Sequence, residues 1–411
     1  MNTKSRLVYI TTLARTLEGF LQGQLSYMRE RGFDVVVISA PSNGLRAVRE
    51  RTGVATVPVP MEREISLLKD LVSLVRLYRV LRRLRPAIVN AGTPKAGLLG
   101  MIAARAAGVP VRIYFLLGLR LETTRGLKRF VLGASERCAS ALAHKVICGS
   151  ESLRRQYLKL GYTTETKTFV PEKGSPDGLN YPDERRQQAR VRAPALRTHL
   201  GIPDGAPVVG FVGRFTRDKG VPELLDAFGR ILMSLPHTRL LMLGHFEDGD
   251  PIPDSYVKRL RSHPSVVMAG WVPDPDPYYV LMDVVACPSH REGLAGPPLE
   301  AAAVAKIPSV GFQVTGTVDA ICDGVTGTIV PLGDVASFAC ALEKYLTNDA
   351  LRREHGEAAH EYVLRHFRSE KVREAIYGEY VRLLKARSPA LFQKLVDDPK
   401  RASQSALDES I

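Results

Sequence analysis

The sequence predicts two doubly wound α/β domains, each a parallel sheet with helices on both faces. Three observations predict this fold class. A chain of 411 residues is too long for one ordinary core. Short apolar segments alternate with helical segments in two series, a pattern typical of parallel sheets. Residues 171–205, rich in proline, glycine and charge, separate the two series and indicate a linker between domains.

The first series predicts an N-terminal domain over residues 1–170. Its short apolar segments indicate strands at 6–10, 34–39, 54–59, 87–91, 111–115 and 145–148. Helical patterns lie between them at 20–31, 65–85, 95–107, 127–143 and after Ser150, with a polar loop at 11–18. Pro86, Gly108 and Gly161 end three of these helices.

The second series predicts a domain over residues 206–350. Its expected strands are 208–212, 239–243, 265–268, 283–287, 308–311 and 327–330. Its expected helices are 221–235, 254–262, 275–281, 297–305, 317–322 and 334–347. Residues 351–386 predict a helix that breaks near Phe367 and Arg368 and packs back towards the N-terminal domain. The polar tail, residues 387–411, is expected to be poorly ordered.

Cysteine usage and hydropathy indicate a cytoplasmic protein. The five cysteines are scattered and form no C-x-x-C pair, which favours reduced thiols and argues against zinc or disulfides. The N-terminus is interrupted by polar residues and does not resemble a signal peptide. No run of about 18 apolar residues is present, so no membrane-spanning helix is expected.

The net charge of +14 is concentrated in the first part of the chain. Residues 1–175 contain 29 Lys and Arg against 12 Asp and Glu, whereas the remainder contains 28 against 31. Such a surplus indicates an anionic partner, which could be nucleic acid, acidic lipid or a phosphorylated substrate; a solubility surplus is the alternative. The few aromatics are not interleaved with the basic residues, which argues against nucleic acid.

A basic amphipathic helix at 65–85 favours an acidic membrane surface as that partner. Its cations Lys69, Arg76, Arg79 and Arg83 lie within about 80° of arc at 3.6 residues per turn. A solvated outer face of a core helix is the alternative. A second basic segment, with cations at 125, 128 and 129, tips the balance towards peripheral association with the inner face of the cytoplasmic membrane.

Two carboxylates, Glu292 and Glu300, lie eight positions apart around a predicted helix start. Pro297 and Pro298 suit a first helical turn, where a missing N–H has no cost. Glu292 is therefore expected in the preceding loop and Glu300 in the first turn. A helix N-terminus suits a phosphate-bearing ligand. The alternative is that Glu300 only caps its own helix and Glu292 is solvated.

The loop after the first strand of the second domain carries two cations. Gly213 permits a tight approach after the strand, Arg214 and Lys219 follow, and a helix begins near Pro222. This arrangement predicts a diphosphate site, although an ordinary basic turn is the alternative. Loops that follow parallel strands meet at one edge of the sheet, so these cations and the two carboxylates are expected together. The combination suits a nucleotide sugar.

Three motifs of the second domain resemble the family-four retaining glycosyltransferases of the two-domain GT-B type. They are GFVGRFTRDKG at 210–220, ACPSHREGLAGPPLEAAA at 286–303 and VTGTVDAICDGVTGTIVPLGD at 314–334. The first domain is similar to the capsule and O-antigen branch through TPKAGL at 93–98 and GLRLETTRGLK at 118–128. The resemblance implies two doubly wound domains facing a cleft whose closure assembles the site.

The resemblance also implies roles for single residues. Arg214, Lys219 and Glu292 would be catalytic: the cations would stabilise the leaving diphosphate and Glu292 would contact the transferred sugar. The implied donor-binding set is Gly213, Arg214, Lys219, Trp271, Val272, Glu292, Leu299, Glu300, Thr315 and Gly316. Glu300 within it would bind the ribose hydroxyls. The implied acceptor-binding set is Thr12, Lys95 and Arg120.

The expected reaction is front-face substitution with retention, without a metal or other cofactor, in which the leaving diphosphate takes the acceptor proton. This chain departs from the family at Leu117, where members often have a histidine, so the resemblance supplies no general base there. Prolines around Asp276 argue against a metal-binding role for Asp274-Pro-Asp276. His144, His245 and His290 have no ligand spacing. His290, beside Glu292, is expected at the surface, and contact with the sugar is the alternative.

The expected donor is a UDP-sugar and the expected acceptor a glycan on a polyprenyl diphosphate carrier. Four alternatives stay open: a glycosyltransferase with a soluble metabolite as acceptor, a nucleotide-sugar epimerase of the same fold, a nucleic-acid-binding protein and an inactive donor-binding scaffold. The four residues Arg214, Lys219, Glu292 and Glu300 argue against the scaffold. An epimerase would need no acceptor, so product analysis without acceptor separates it from a transferase.

Overall fold

The chain folds into two compact units in a computed structural model that describes residues 5–62 and 66–397. The first unit contains the residues up to Gly178 and those from Ser369 onward, and the second contains Leu179–Arg368. Of residues 171–205, the first eight therefore belong to the first unit and the rest to the second. The chain passes between the units twice, at 178–179 and at 368–369.

The first unit is built on a seven-stranded sheet of order β3-β2-β1-β4-β5-β6-β7, with every neighbouring pair parallel. Its strands are β1 Arg6–Ile10, β2 Asp34–Ser39, β3 Ala55–Pro58, β4 Ile88–Gly92, β5 Val111–Leu116, β6 Lys145–Cys148 and β7 Thr168–Phe169. Its first seven helices are α1 Ala14–Phe20, α2 Gln22–Glu30, α3 Asn43–Thr52, α4 Leu67–Leu84, α5 Pro94–Ala106, α6 Gly126–Leu142 and α7 Glu151–Lys159. Hydrophobic clusters cover both faces of the sheet, as a doubly wound fold requires.

The second unit has a six-stranded parallel sheet of order β10-β9-β8-β11-β12-β13. Its strands are β8 Val208–Val212, β9 Arg239–Leu243, β10 Val266–Gly270, β11 Val284–Cys287, β12 Ser309–Phe312 and β13 Gly327–Val330. Its helices are α8 Asp183–His199, α9 Val221–Ser234, α10 Asp254–Ser262, α11 Asp276–Tyr279, α12 Gly296–Ala305, α13 Thr317–Ala320, α14 Val335–Thr347 and α15 Asp349–His366. The predicted fold class, two parallel α/β sheets with helices, is confirmed.

The C-terminal segment returns to the first unit as α16 Ser369–Arg387 and α17 Pro389–Val396. Helix α16 begins after the break at Phe367 and Arg368 and contributes Val372, Ile376 and Tyr380 to the core beneath β1 and β2. Residues 389–396 were predicted to be poorly ordered, and this prediction is wrong. They form α17, because fully buried Leu395 packs in the same core. The predicted tail beyond residue 397 lies outside the described residues.

Two other segments differ from the sequence expectation. Residues 14–20 form a helix instead of a polar loop, because Leu17 is fully buried in the core and Ala14 nearly so. The linker stretch contains the 17-residue helix α8, which packs through Ala189 and Ala193 despite an internal proline at Pro194. In both cases a few small or apolar residues are sufficient for packing, although the local composition is that of a loop.

Candidate functional site

The candidate donor site lies at the carboxyl edge of the second unit's sheet. The loops after β8, β9, β11 and β12 all leave this edge, because the four strands are parallel neighbours. The sheet order reverses around β8, which pairs with β9 on one side and β11 on the other. In open α/β sheets, ligands bind at such a switch point.

The two predicted cations extend from the loop between β8 and α9 and contact carboxylates from neighbouring loops. The Lys219 ammonium contacts Glu292 from the loop after β11, and the Arg214 guanidinium contacts Glu247 from the loop after β9. Their side chains are 20% and 28% exposed, respectively. At this partial burial the charges are less screened than at the open surface, so each cation interacts strongly with its carboxylate and with any charged ligand that enters.

Gly220 allows the loop between β8 and α9, residues 213–220 and here called the cation loop, to lie against the end of β11. It occupies the left-handed region with φ 68° and is the N-cap residue directly before α9. A Cβ there would lie 1.9 Å from the carbonyl oxygen of Pro288, in the loop after β11. Only glycine permits this approach, which brings Lys219 and Glu292 together.

The position of Glu292 is fixed through the loop after β12. Its backbone N–H donates to the Thr315 carbonyl at 3.0 Å, and the Ala295 N–H donates to the Gly316 carbonyl at 3.2 Å. Gly316 has φ 77°, and a Cβ there would lie 2.8 Å from the carbonyl carbons of Glu292 and Gly293. The predicted residues 315 and 316 therefore support the glutamate through their backbone.

Asp218 connects the cation loop with the loop after β11, and the sequence did not identify it as a site residue. Its carboxylate accepts hydrogen bonds from the Thr216 hydroxyl at 2.7 Å and from the Arg291 guanidinium at 2.6 Å. Burial works to raise the pKa of Asp218, but the Thr216 hydrogen bond and the charges of Arg291, Arg214 and Lys219 hold that pKa below its ordinary value. Asp218 therefore remains ionised and keeps the cation loop in place.

Glu300 lies in a different environment from Glu292. It falls beyond the first turn of α12, which contains no acidic residue, so the predicted first-turn position is wrong by one residue. Its partly buried carboxylate accepts a hydrogen bond from the Tyr279 hydroxyl at 2.7 Å. Burial raises the pKa of Glu300, and the Tyr279 hydrogen bond opposes that shift. The carboxylate is thus oriented by a buried tyrosine of α11 and does not cap its own helix.

The other predicted donor residues are more dispersed. Gly213 lies in the cation loop, where its N–H donates to the Leu243 carbonyl at 2.9 Å. Trp271 and Val272 follow β10, the strand at the end of the sheet, and Trp271 is 70% exposed. Leu299 is 3% exposed and packs in a hydrophobic cluster, so its side chain is part of the core.

The predicted acceptor residues lie in the first unit, after neighbouring strands of its sheet. Thr12 follows β1, and its hydroxyl lies 2.8 Å from that of Thr93, which follows β4. Lys95, in the first turn of α5, pairs with Asp70 of α4 at 2.6 Å. Arg120 follows β5 and, together with Lys95, lines a groove of about 340 Å³. The structure thus places all three towards the carboxyl edge of that sheet.

The Asp274-Pro-Asp276 segment has a structural use. Asp276 accepts from Arg185 of α8 at 2.5 and 3.2 Å, and Asp274 pairs with Arg192 of the same helix at 2.5 Å. These pairs attach α8 to the start of α11.

Within 5–62 and 66–397, no group of three or more His, Cys, Asp or Glu side chains could hold a metal ion. The expected absence of a cofactor stays a prediction.

His290 is half-buried and contacts Glu223 at 2.8 Å, where a surface position was expected. The hydrogen bond with Glu223 raises the pKa of His290.

Both Arg291 and Asp218 were within the quoted motifs, so their positions after strands could have identified them. Glu247 had the weaker signal of an acidic stretch after β9, and only the fold places it against Arg214.

Two family models match this chain. One, described as "Glycosyl transferases group 1", covers residues 206–348, and the other, "Glycosyl transferase 4-like domain", covers residues 18–172. The first match spans the cation loop and both carboxylates, and the second spans Lys95 and Arg120.

The chain is similar over most of its length to curated proteins. It is 33% identical to the capsular polysaccharide biosynthesis glycosyltransferase CapM of Staphylococcus aureus over 92% of this chain and 98% of that protein. It is 26% identical to the UDP-Gal:alpha-D-GlcNAc-diphosphoundecaprenol alpha-1,3-galactosyltransferase of Escherichia coli, over 77% and 81% of the two chains. The crystal structure of Anabaena Alr3699/HepE in complex with UDP and glucose has the same fold, with a TM-score of 0.74 at 19% identity, over 91% and 98% of the chains.

Proposed function

Since this chain belongs to the retaining glycosyltransferase family that combines a 4-like domain with a group 1 domain, we propose that it transfers a sugar from a UDP-sugar to a lipid-linked glycan in surface polysaccharide synthesis. The second unit would bind the donor and the first unit the acceptor. The names of two relatives support this choice, since one acts in capsule synthesis and the other on a diphosphoundecaprenol-linked sugar.

The observation that carries the proposal is the meeting of Arg214, Lys219 and Glu292 at one sheet edge. In the proposed reaction, the two cations bind the donor diphosphate and stabilise the charge that develops as it leaves. Glu292 contacts the transferred sugar, and Glu300, oriented by Tyr279, binds the ribose hydroxyls. The departing phosphate takes the proton of the acceptor hydroxyl, which attacks from the same face, so the anomeric configuration is retained.

A membrane surface is the second part of the proposal. Helix α4 exposes Leu68, and α6 exposes Leu127 and Phe130, at 81%, 78% and 74% respectively. Cations accompany these side chains on both helices, at positions 69, 76, 79 and 83 of α4 and 128 and 129 of α6. Apolar side chains beside cations suit insertion at an anionic bilayer surface. Among the residues described, no helix is long and apolar enough to span a bilayer.

Transfer activity tests the donor site. A panel of radiolabelled nucleotide sugars is incubated with the protein and a membrane extract as acceptor. We expect transfer from one UDP-sugar, with loss of at least about a hundredfold in Glu292→Ala and Lys219→Ala. Lys258→Ala, which removes an exposed lysine of α10, is the matched control and should retain activity. No transfer from any donor would refute the function, and full activity in Glu292→Ala would refute the site.

Vesicle flotation tests the membrane surface separately. We expect the protein to float with vesicles rich in phosphatidylglycerol and to be released as salt rises, because exposed charges are screened. Replacing Arg79 and Arg83 by Ala should weaken this binding, whereas replacing Arg230 and Arg239 of the second unit should not. Equal binding to neutral vesicles would refute the electrostatic part.

A further inference from the structure

A groove between three helices of the first unit has the features of a site for one lipid chain. Its volume is about 340 Å³, within the range of small-ligand sites. Most of its lining is aliphatic, contributed by α4, α5 and α6: Leu67, Leu71, Leu74, Leu98, Leu99, Val131 and Leu132. An apolar groove of this size open to water is unfavourable unless an apolar group fills it.

Charged side chains also line the groove. Lys95, Arg120 and Lys128 line it together with one carboxylate, Asp70, which pairs with Lys95 at 2.6 Å. The groove lining thus contains three cations and one carboxylate together with aliphatic side chains. The ligand that matches both parts is an anionic amphiphile with its phosphate at Lys95, Arg120 and Lys128 and its chain among the leucines.

We propose that this groove binds the carrier lipid of the acceptor: its phosphates at the cationic part and its first isoprene units among the leucines. The inference rests on the proposed lipid-linked acceptor and deepens it by assigning the chain a site. Lys95 and Arg120 follow β4 and β5, so the phosphates would lie at the carboxyl edge of the first sheet. The glycan would then extend from that edge, while the remainder of the chain stays in the bilayer.

The residues that line the groove differ from the exposed apolar residues proposed to contact the membrane. Leu68 and Phe130 project from the same helices, are 81% and 74% exposed, and do not line the groove. Leu71 and Ser135 do line it. A bilayer surface contacts projecting side chains, whereas a concave channel between helices admits a single chain. The two kinds of position therefore separate carrier binding from general membrane association.

The probe is undecaprenyl phosphate in phosphatidylcholine vesicles, compared with vesicles of matched charge containing phosphatidylglycerol. Flotation of the full chain measures binding to each. We expect the wild type to bind the undecaprenyl phosphate vesicles about tenfold more tightly than the phosphatidylglycerol vesicles. Leu71→Asn should abolish this preference, whereas Leu68→Asn, the matched change outside the groove, should weaken binding to both vesicles alike and preserve the preference.

A second variant fills the groove without removing apolar surface. Ser135→Trp should lose the preference for undecaprenyl phosphate while keeping its binding to phosphatidylglycerol vesicles, and circular dichroism checks that it folds. Equal binding of the wild type to the two vesicles would overturn the inference, as would a full preference in both Leu71→Asn and Ser135→Trp. Sugar transfer by the wild type without a lipid preference would overturn this inference alone, whereas a lipid preference without transfer would count against the proposed function.

Discussion

Replacing Gly316 by alanine tests whether the loop after β12 positions the candidate sugar-binding carboxylate. The added Cβ would lie 2.8 Å from the carbonyl carbons of Glu292 and Gly293 and 2.9 Å from the Glu292 Cβ. Contacts this short do not occur between real side chains and backbone, so the loop after β11 must shift. The shift would disturb two hydrogen bonds, from Glu292 N–H to Thr315 and from Ala295 N–H to Gly316.

The expected cost has two separable parts. A non-glycine residue at φ 77° costs about 1 kcal/mol, and each disturbed hydrogen bond adds about 1 kcal/mol, for a total of about 3 kcal/mol. For a unit of this size, about 1 kcal/mol corresponds to roughly 2–4 °C in Tm, so a loss of roughly 6–12 °C is expected. Transfer should fall by at least about tenfold, because a displacement of the carboxylate by about 1 Å is costly in a positioned site.

Gly324→Ala is the matched control. Gly324 has φ 70° in the same unit, but a Cβ there would have no atom within 4 Å. It should therefore lose roughly 2–4 °C and retain its transfer activity. Differential scanning calorimetry and initial transfer rates measure both variants. Equal Tm losses in the two, or unchanged transfer in Gly316→Ala, would refute the positioning role.

Four further outcomes are expected. Burial raises the pKa of Glu136 to about 7, so the folded state binds this proton more tightly than the unfolded state. Relative to Glu136→Gln, the stability of the wild type should therefore fall by on the order of 3 kcal/mol between about pH 4.5 and about pH 7. Parallel profiles of Tm against pH for the two proteins would contradict this expectation. Tyr279→Phe should weaken UDP binding severalfold in calorimetry, because it removes the 2.7 Å hydrogen bond that orients Glu300; unchanged affinity would count against a ribose role. Arg185→Ala should lower the free energy of unfolding by about 2 kcal/mol in denaturation, because it leaves the 3% exposed Asp276 carboxylate without its guanidinium partner. Since no metal is expected in the reaction, added chelator should not alter transfer.

Among the structural elements, the strands were predicted from the sequence with the smallest error in position. Strands such as Arg6–Ile10 and Val208–Val212 lie where their continuous apolar runs predicted, because central strands of a parallel sheet are buried on both faces. Segments with mixed composition were harder. Helix α17 packs through buried Leu395 and partly buried Leu391 and Phe392, and the local pattern does not reveal which core these side chains join.

Within the site, the sequence determined that Arg214, Lys219 and Glu292 share one sheet edge, because parallel strands place all following loops there. Their pairing was decided only by the tertiary structure. Glu247 comes from a separate loop and no spacing identifies it as the Arg214 partner, since a contact across loops depends on how the whole edge packs.

The cationic surplus of the first domain was likewise visible in composition, and so was the basic helix at 65–85. The sequence did not show that some of these cations lie beside a leucine-lined groove, because three helices separated in sequence form that groove. Local pattern fixes which residues can be apolar or charged on an element, whereas the packing of distant elements decides which of them face one another.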